Sequence, residues 1–177
     1  MKPYIRYKTF GRFTVYVGRV GSGKTLGAVI HLYKLSKTHP ELSLVSNHHL
    51  TGIPYEPFDI DKLNTYKDKI VFIDLVETYS SSRKYKDSVW KVKFFLDRIK
   101  NNNCYLITTS PDTSYFSAPI LVHISTIVDT RYYRGPHPQL RLARLTLKSR
   151  KHSIKFYLLK GVKRYFKFYN TREIIRT

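Results

Sequence analysis

The chain has 177 residues, 42% hydrophobic and 25% charged, which excludes a disordered or fibrous polymer and predicts one globular domain over residues 1–177. Its formal net charge is +20. Self-repulsion of that size points to a polyanionic partner, nucleic acid or an anionic membrane surface, unless the surface has simply drifted basic.

Phe13–Val17 is a short apolar run and predicts the first strand. Gly18-Arg19-Val20-Gly21-Ser22-Gly23-Lys24-Thr25 follows, and Leu26–Leu35 then carries apolar residues at helical spacing. Strand, G-x-x-x-x-G-K-T and helix in that order make a phosphate-binding loop. Its glycines let successive N–H groups curl toward phosphate oxygens with no Cβ in the way. The helix N-terminus adds its partial positive charge. In this pattern Lys24 reaches the β- and γ-phosphates, and the Thr25 hydroxyl is placed to ligate Mg²⁺. ATP and Mg²⁺ are therefore the expected cofactors.

His39-Pro40 closes this helix, because proline disfavours helical geometry in the residue before it. Leu42–Ser46 reads as the second strand, and residues 47–54 have loop chemistry. His48 and His49 are adjacent, but no cysteine or acid stands at ligand spacing, so they read as loop residues without a metal. Asp59–Lys69 predicts a short polar helix. Ile70-Val71-Phe72-Ile73-Asp74 is an apolar run ending in a carboxylate. A strand apolar on both faces belongs inside a parallel sheet. An acid at its C-terminal end lies on the edge where open α/β sheets take their ligands. Behind a phosphate loop, Asp74 is expected as the second Mg²⁺ anchor, the Walker B aspartate; capping the next turn is the alternative. Glu77 either orients the attacking water, if the chain turns back over the site, or is solvated surface. The position directly after Asp74, where many such ATPases carry that glutamate, is Leu75.

Tyr79–Lys86 reads as a Ser- and Lys-rich loop. Asp87–Asn102 predicts a helix whose apolar residues, Trp90, Phe94, Phe95 and Leu96 among them, face the core. Cys104–Pro111 is the next strand. Cys104, the one cysteine, cannot form an intrachain disulfide, fills the core and suits a reducing cytoplasm. If this strand lies between the loop strand and the Asp74 strand, Thr109 faces the γ-phosphate as a sensor; a threonine in a buried strand is also ordinary. Ile120–Asp129 predicts one more strand. From Gln139 the pattern alternates, as in Leu140-Arg141-Leu142, and predicts an antiparallel β element over residues 139–177 of the same domain. It carries twelve basic residues against one acid, Glu173. They either track a phosphate backbone or protect sheet edges from aggregation. No apolar run approaches the ~20 residues of a transmembrane helix, and Met1–Lys8 lacks the apolar core of a signal peptide. A soluble, cytoplasmic protein is expected.

The chain resembles the zonular occludens toxin-like P-loop ATPases, near the FtsK–HerA superfamily of DNA-pumping motors and the viral genome-packaging ATPases. Four features carry the resemblance: the loop Gly18–Thr25 followed by Leu-Gly-Ala-Val, Val45-Ser46-Asn47, Asp74 after its apolar run, and Leu106–Pro111 leading to Ile127-Val128-Asp129 and Tyr132-Tyr133. The ending Phe168–Glu173 adds to it. The resemblance implies an α/β P-loop NTPase with a mostly parallel central sheet flanked by helices and a C-terminal basic antiparallel β element. It implies ATP hydrolysis stimulated by DNA, a double-stranded nucleic-acid partner and a homo-oligomeric ring, in a motor packaging a viral or plasmid genome. In such rings a neighbour's arginine completes the site; Arg98 is the candidate here, with Arg83 and Arg131 as alternatives. Two departures stand out: glutamine is usual where Thr109 stands, and an acid where Leu75 stands. The alternatives are a nucleotide-dependent virion assembly or extrusion factor acting at a membrane, and a basic nucleic-acid-binding protein that binds nucleotide without turning it over.

Overall fold

The computed structural model describes residues 10–74, 85–148 and 151–168. The strands are β1 (Phe13–Val17), β2 (Ser43–Ser46), β3 (Glu56–Pro57), β4 (Lys69–Ile73), β5 (Tyr105–Ser110), β6 (Thr126–Tyr133), β7 (Gln139–Lys148) and β8 (Lys151–Lys160). They form one eight-stranded sheet in the order β3-β2-β4-β5-β1-β6-β7-β8. All pairs from β3 to β6 are parallel; β6–β7 and β7–β8 are antiparallel. The fold is thus α/β with a mostly parallel sheet, and the basic C-terminal element extends that same sheet.

The helices follow from the pattern of the chain. Helix α1 (Lys24–Thr38) starts behind Gly23, whose φ of 87° suits a residue without Cβ. It ends at His39, whose N–H reaches Leu35 O at 2.8 Å. Gly27 lets α1 press onto β1, since a Cβ there would lie 3.0 Å from the Tyr16 ring. On this face Tyr16, Leu26, Ile30, Phe72, Ile107 and Leu140 share one core. The other face joins Val15, Val71, Ile73 and Leu106 to Phe95 and Leu96 of α2 (Tyr85–Arg98). β1 therefore contributes to both cores by simple alternation.

Three expectations change. Trp90 and Phe94 do not enter the core: they are 64% and 44% exposed, while α2 buries Phe95 and Leu96, packs Val89 and Val92 partly against the same core and is followed by buried Ile99. The segment expected as one strand over Ile120–Asp129 divides into a short helix α3 (Ala118–Leu121) and β6. Pro119 suits the first turn of that helix, and Ile124 then packs in the α2-side core. Asp59–Lys69 holds only a 3-10 segment, Ile60–Thr65, and Lys69 already begins β4. Cys104 is buried, as its apolar surroundings predict. Glu77, Arg83 and residues 169–173 lie outside the described residues, as does most of the segment read as a Ser- and Lys-rich loop.

Candidate nucleotide site

β1 ends at Val17 and delivers the loop to the C-terminal edge of the sheet. The backbone curls at once: Gly18 has φ 143°, and Ser22 N–H donates to Arg19 O at 3.0 Å. A Cβ on Gly18 would lie 2.5 Å from Ser22 Oγ. The outer arm of the loop is tied to β6, with Ser22 Oγ and Thr130 Oγ1 2.9 Å apart and Thr130 Oγ1 donating to Val17 O at 3.2 Å. Val20 stands at the crown, 92% exposed. The first turn of α1 contains no acid, so its positive end is not neutralised from within.

Lys24 is 8% exposed. Its Nζ donates to Gly18 O at 2.8 Å and Arg19 O at 3.2 Å, which holds the ammonium over the curled loop.

Asp74 follows β4 on the same edge, 5% exposed. β5 lies between β4 and β1, as the sensor reading of Thr109 requires. Thr109 Oγ1 donates to Asp74 Oδ1 at 2.5 Å, and Thr25 Oγ1 stands 3.2 and 3.3 Å from the two carboxylate oxygens. The structure therefore brings Lys24, Thr25, Asp74 and Thr109 together around the loop.

Two further residues belong to this cluster. Asn47 grips the Asp74 backbone twice, accepting from Asp74 N–H at 2.7 Å and donating to Asp74 O at 2.9 Å. His48, read from sequence as an ordinary loop residue, is 8% exposed with Nδ1 3.6 Å from Asp74 Oδ2. The available signal was position: Asn47 and His48 leave the C-terminal end of β2, which pairs with β4. Among the described residues no group of three or more His, Cys, Asp or Glu side chains is placed to hold a metal.

Thr25 and Asp74 supply oxygen donors only, the set a hard cation such as Mg²⁺ takes. A buried carboxylate that meets two hydroxyls and one imidazole fits a counter-cation, since burying an uncompensated charge is costly.

Arg98 is not part of the cluster. Its carbonyl accepts from Asn102 N–H, Asp68 N–H donates to Asn102 O, and Arg12 Nη1 donates to Asn103 Oδ1. These contacts fix the end of α2 at the N-terminal edge of β4, β5 and β1, opposite the loop. There the Arg98 guanidinium lies over Phe94, 4.2 Å from the ring centroid. Arg131 instead lines an open cleft of about 590 Å³, with loop residues 19–22 on one side and residues 129–132 of β6 on the other.

No protein-family model and no curated protein sequence matches the chain. Solved structures do. The N-terminal domain of zonular occludens toxin from Neisseria meningitidis superposes with a TM-score of 0.63 at 13% identity, over 92% of this chain and 100% of that one. The genome-packaging NTPase B204 from Sulfolobus turreted icosahedral virus 2, in complex with ATP-gammaS, gives 0.52 at 12% identity over 88% and 100%. The KaiC-like protein PH0186 from Pyrococcus horikoshii OT3 gives 0.55 at 12% identity over 82% and 83%. At these identities the likeness speaks for the fold alone, and that fold is the P-loop NTPase fold.

Proposed function

We propose that this chain binds ATP with Mg²⁺, hydrolyses it, and couples hydrolysis to movement of nucleic acid, as a motor packaging a viral or plasmid genome. The observation that carries the reading is the meeting of Thr25 and Thr109 on buried Asp74, beside a curled glycine loop.

The roles follow from position. Loop N–H groups and the α1 N-terminus receive the phosphates. Lys24 neutralises charge that develops on the transferred phosphoryl group. Thr25 and Asp74 would hold Mg²⁺, which would supply positive charge to the phosphates of the bound nucleotide. Thr109 reports on the γ-phosphate through the carboxylate it shares with Thr25. Glu77, outside the described residues, orients the attacking water. Arg98 lies on the sheet edge opposite its own loop, so any contact it makes with a nucleotide is with a neighbour's in a ring. Duplex DNA as the partner is supported by the net charge of +20 and by the likeness to B204, a DNA-packaging ATPase. A domain of residues 1–177 in the cytoplasm completes the picture.

The likeness to a zonular occludens toxin domain favours a second reading, nucleotide-dependent assembly or extrusion at a membrane. No described helix is long and apolar enough to cross a bilayer. The deciding experiment is an ATPase assay with and without duplex DNA, for the wild type and Lys24→Ala. The motor reading expects turnover that DNA raises and Lys24→Ala abolishes. Turnover indifferent to DNA would leave the membrane reading, and no turnover at all would remove both.

A further inference from the structure

β1 has different neighbours on its two sides. Toward β5 and β4 lie Thr109 and Asp74, the end that takes a metal and a terminal phosphate. Toward β6 lies the open cleft lined by loop residues 19–22 and residues 129–132. A triphosphate stretched along the loop with its terminal phosphate at Asp74 must send its other end over β6.

The surface there is a sheet face that leaves Arg131, Arg141 and Phe156 exposed among the described residues. Register places Arg131 directly opposite Arg141, and Asp129 opposite Ala143; Ala143 in turn faces Phe156, and Arg141 faces Leu158. Asp129, Arg131, Arg141, Ala143 and Phe156 enclose a depression of about 120 Å³, and Asp129 and Arg131 also line the loop cleft. The two hollows therefore share Asp129 and Arg131 as a common wall. Like charges directly across a strand pair repel, and two facing arginines are better tolerated beside hydrogen-bond acceptors. The floor is apolar and aromatic: Phe156 is 61% exposed, with the Arg141 guanidinium 5.4 Å from its ring centroid. No described residue forms an ion pair with the half-buried Asp129 carboxylate.

We propose that this depression is the nucleoside site of the same nucleotide. The Asp129 carboxylate accepts hydrogen bonds from the ribose hydroxyls, a charge-assisted contact. The base lies on Ala143 and Phe156, with Arg131 and Arg141 as donors at its edges. This rests on the ATP reading above and adds what selects a nucleoside triphosphate over bare polyphosphate. The chain's own Arg131 is then a specificity residue acting in cis.

The test compares calorimetric affinities, with Mg²⁺, for ATP, 2′,3′-dideoxy-ATP and inorganic tripolyphosphate. The variants are Asp129→Asn and Ala143→Leu, the latter filling the floor without touching charge. In the wild type ATP should bind at least about tenfold tighter than tripolyphosphate, and removing both hydroxyls should cost about tenfold. Asp129→Asn should erase the difference between ATP and its dideoxy form. Ala143→Leu should erase most of the advantage of ATP while tripolyphosphate binding reports that the loop is intact. An advantage unchanged in both variants overturns the proposal, as does wild-type protein that binds tripolyphosphate as tightly as ATP. If the wild type binds neither, the nucleotide reading itself falls.

Discussion

Asn47 and Asp74 form a closed two-point clamp: the amide of one takes both the N–H and the C=O of the other, at 2.7 and 2.9 Å. The clamp fixes the backbone from which the carboxylate projects. Asn47→Ala removes both bonds and should cost about 1–3 kcal/mol of stability. It should also raise the Mg²⁺ concentration needed for half-maximal ATP hydrolysis, because Asp74 loses its fixed direction. A denaturant titration and a Mg²⁺ titration measure the two effects, and an unchanged Mg²⁺ requirement would confine Asn47 to folding.

Thr109 can be separated from its hydroxyl. Thr109→Val keeps the shape of the side chain and deletes the donor to Asp74 Oδ1. ATP binding should persist while turnover falls roughly tenfold, the size of one lost charge-assisted hydrogen bond. Thr109→Ser should recover most of the rate. Equal rates in the Val and Ser variants would make this threonine ordinary packing.

His31 lies inside the sheet–α1 core, its ring 4.8 Å from Phe10 and 6.1 Å from Tyr16. Burial first, then the charge of Arg144, lowers its pKa from 6.5 to about 3. The unfolded chain therefore binds a proton that the folded chain refuses between those values. This contribution to stability is full above about pH 6.5 and is lost as pH falls toward 3, with a slope of up to about 1.4 kcal/mol per unit. Guanidinium titrations at several pH values should show this slope reduced in His31→Leu. A variant with the wild-type slope would assign acid sensitivity to the carboxylates alone.

The basic β element makes a prediction about salt. Each duplex phosphate neutralised contributes about −0.9 to the slope of log K against log salt, so roughly five contacts give −4 to −5. Lys155 and Lys160 are exposed on β8, the outermost strand of the sheet. Reversing both to Glu should flatten the slope and reduce DNA-stimulated turnover while sparing turnover without DNA. An unaltered slope would leave sheet-edge protection as the reason for their charge.

The loop and the order of strand, loop and helix were legible because that chemistry needs particular residues at fixed spacing. Asp74 was legible because an apolar run ending in an acid is rare inside a sheet. Their companions were harder to see. Asn47 and His48 matter only because β2 pairs with β4, and pairing between distant segments leaves no local mark. Trp90 and Phe94 show the opposite failure, since a helical pattern tells which residues share a face but not how wide the buried stripe is. Arg98 precedes the Thr109 strand in sequence, yet a crossover helix ends on the far edge of a parallel sheet from the strand ends that hold ligands.

The strand that carries the phosphate loop has both its partners far along the chain. Phe13–Val17 pairs with Leu106–Ser110 on one side and, through Thr14–Val17, with Thr126–Asp129 on the other. Closing such long loops is slow and comes late in folding. During synthesis that strand has no partner to dock on until Tyr105–Ser110 has followed it, and it lacks its second partner until Thr126–Asp129 has followed as well. Until both have followed, a nascent chain carries the phosphate loop without the sheet edge on which a nucleotide could be held.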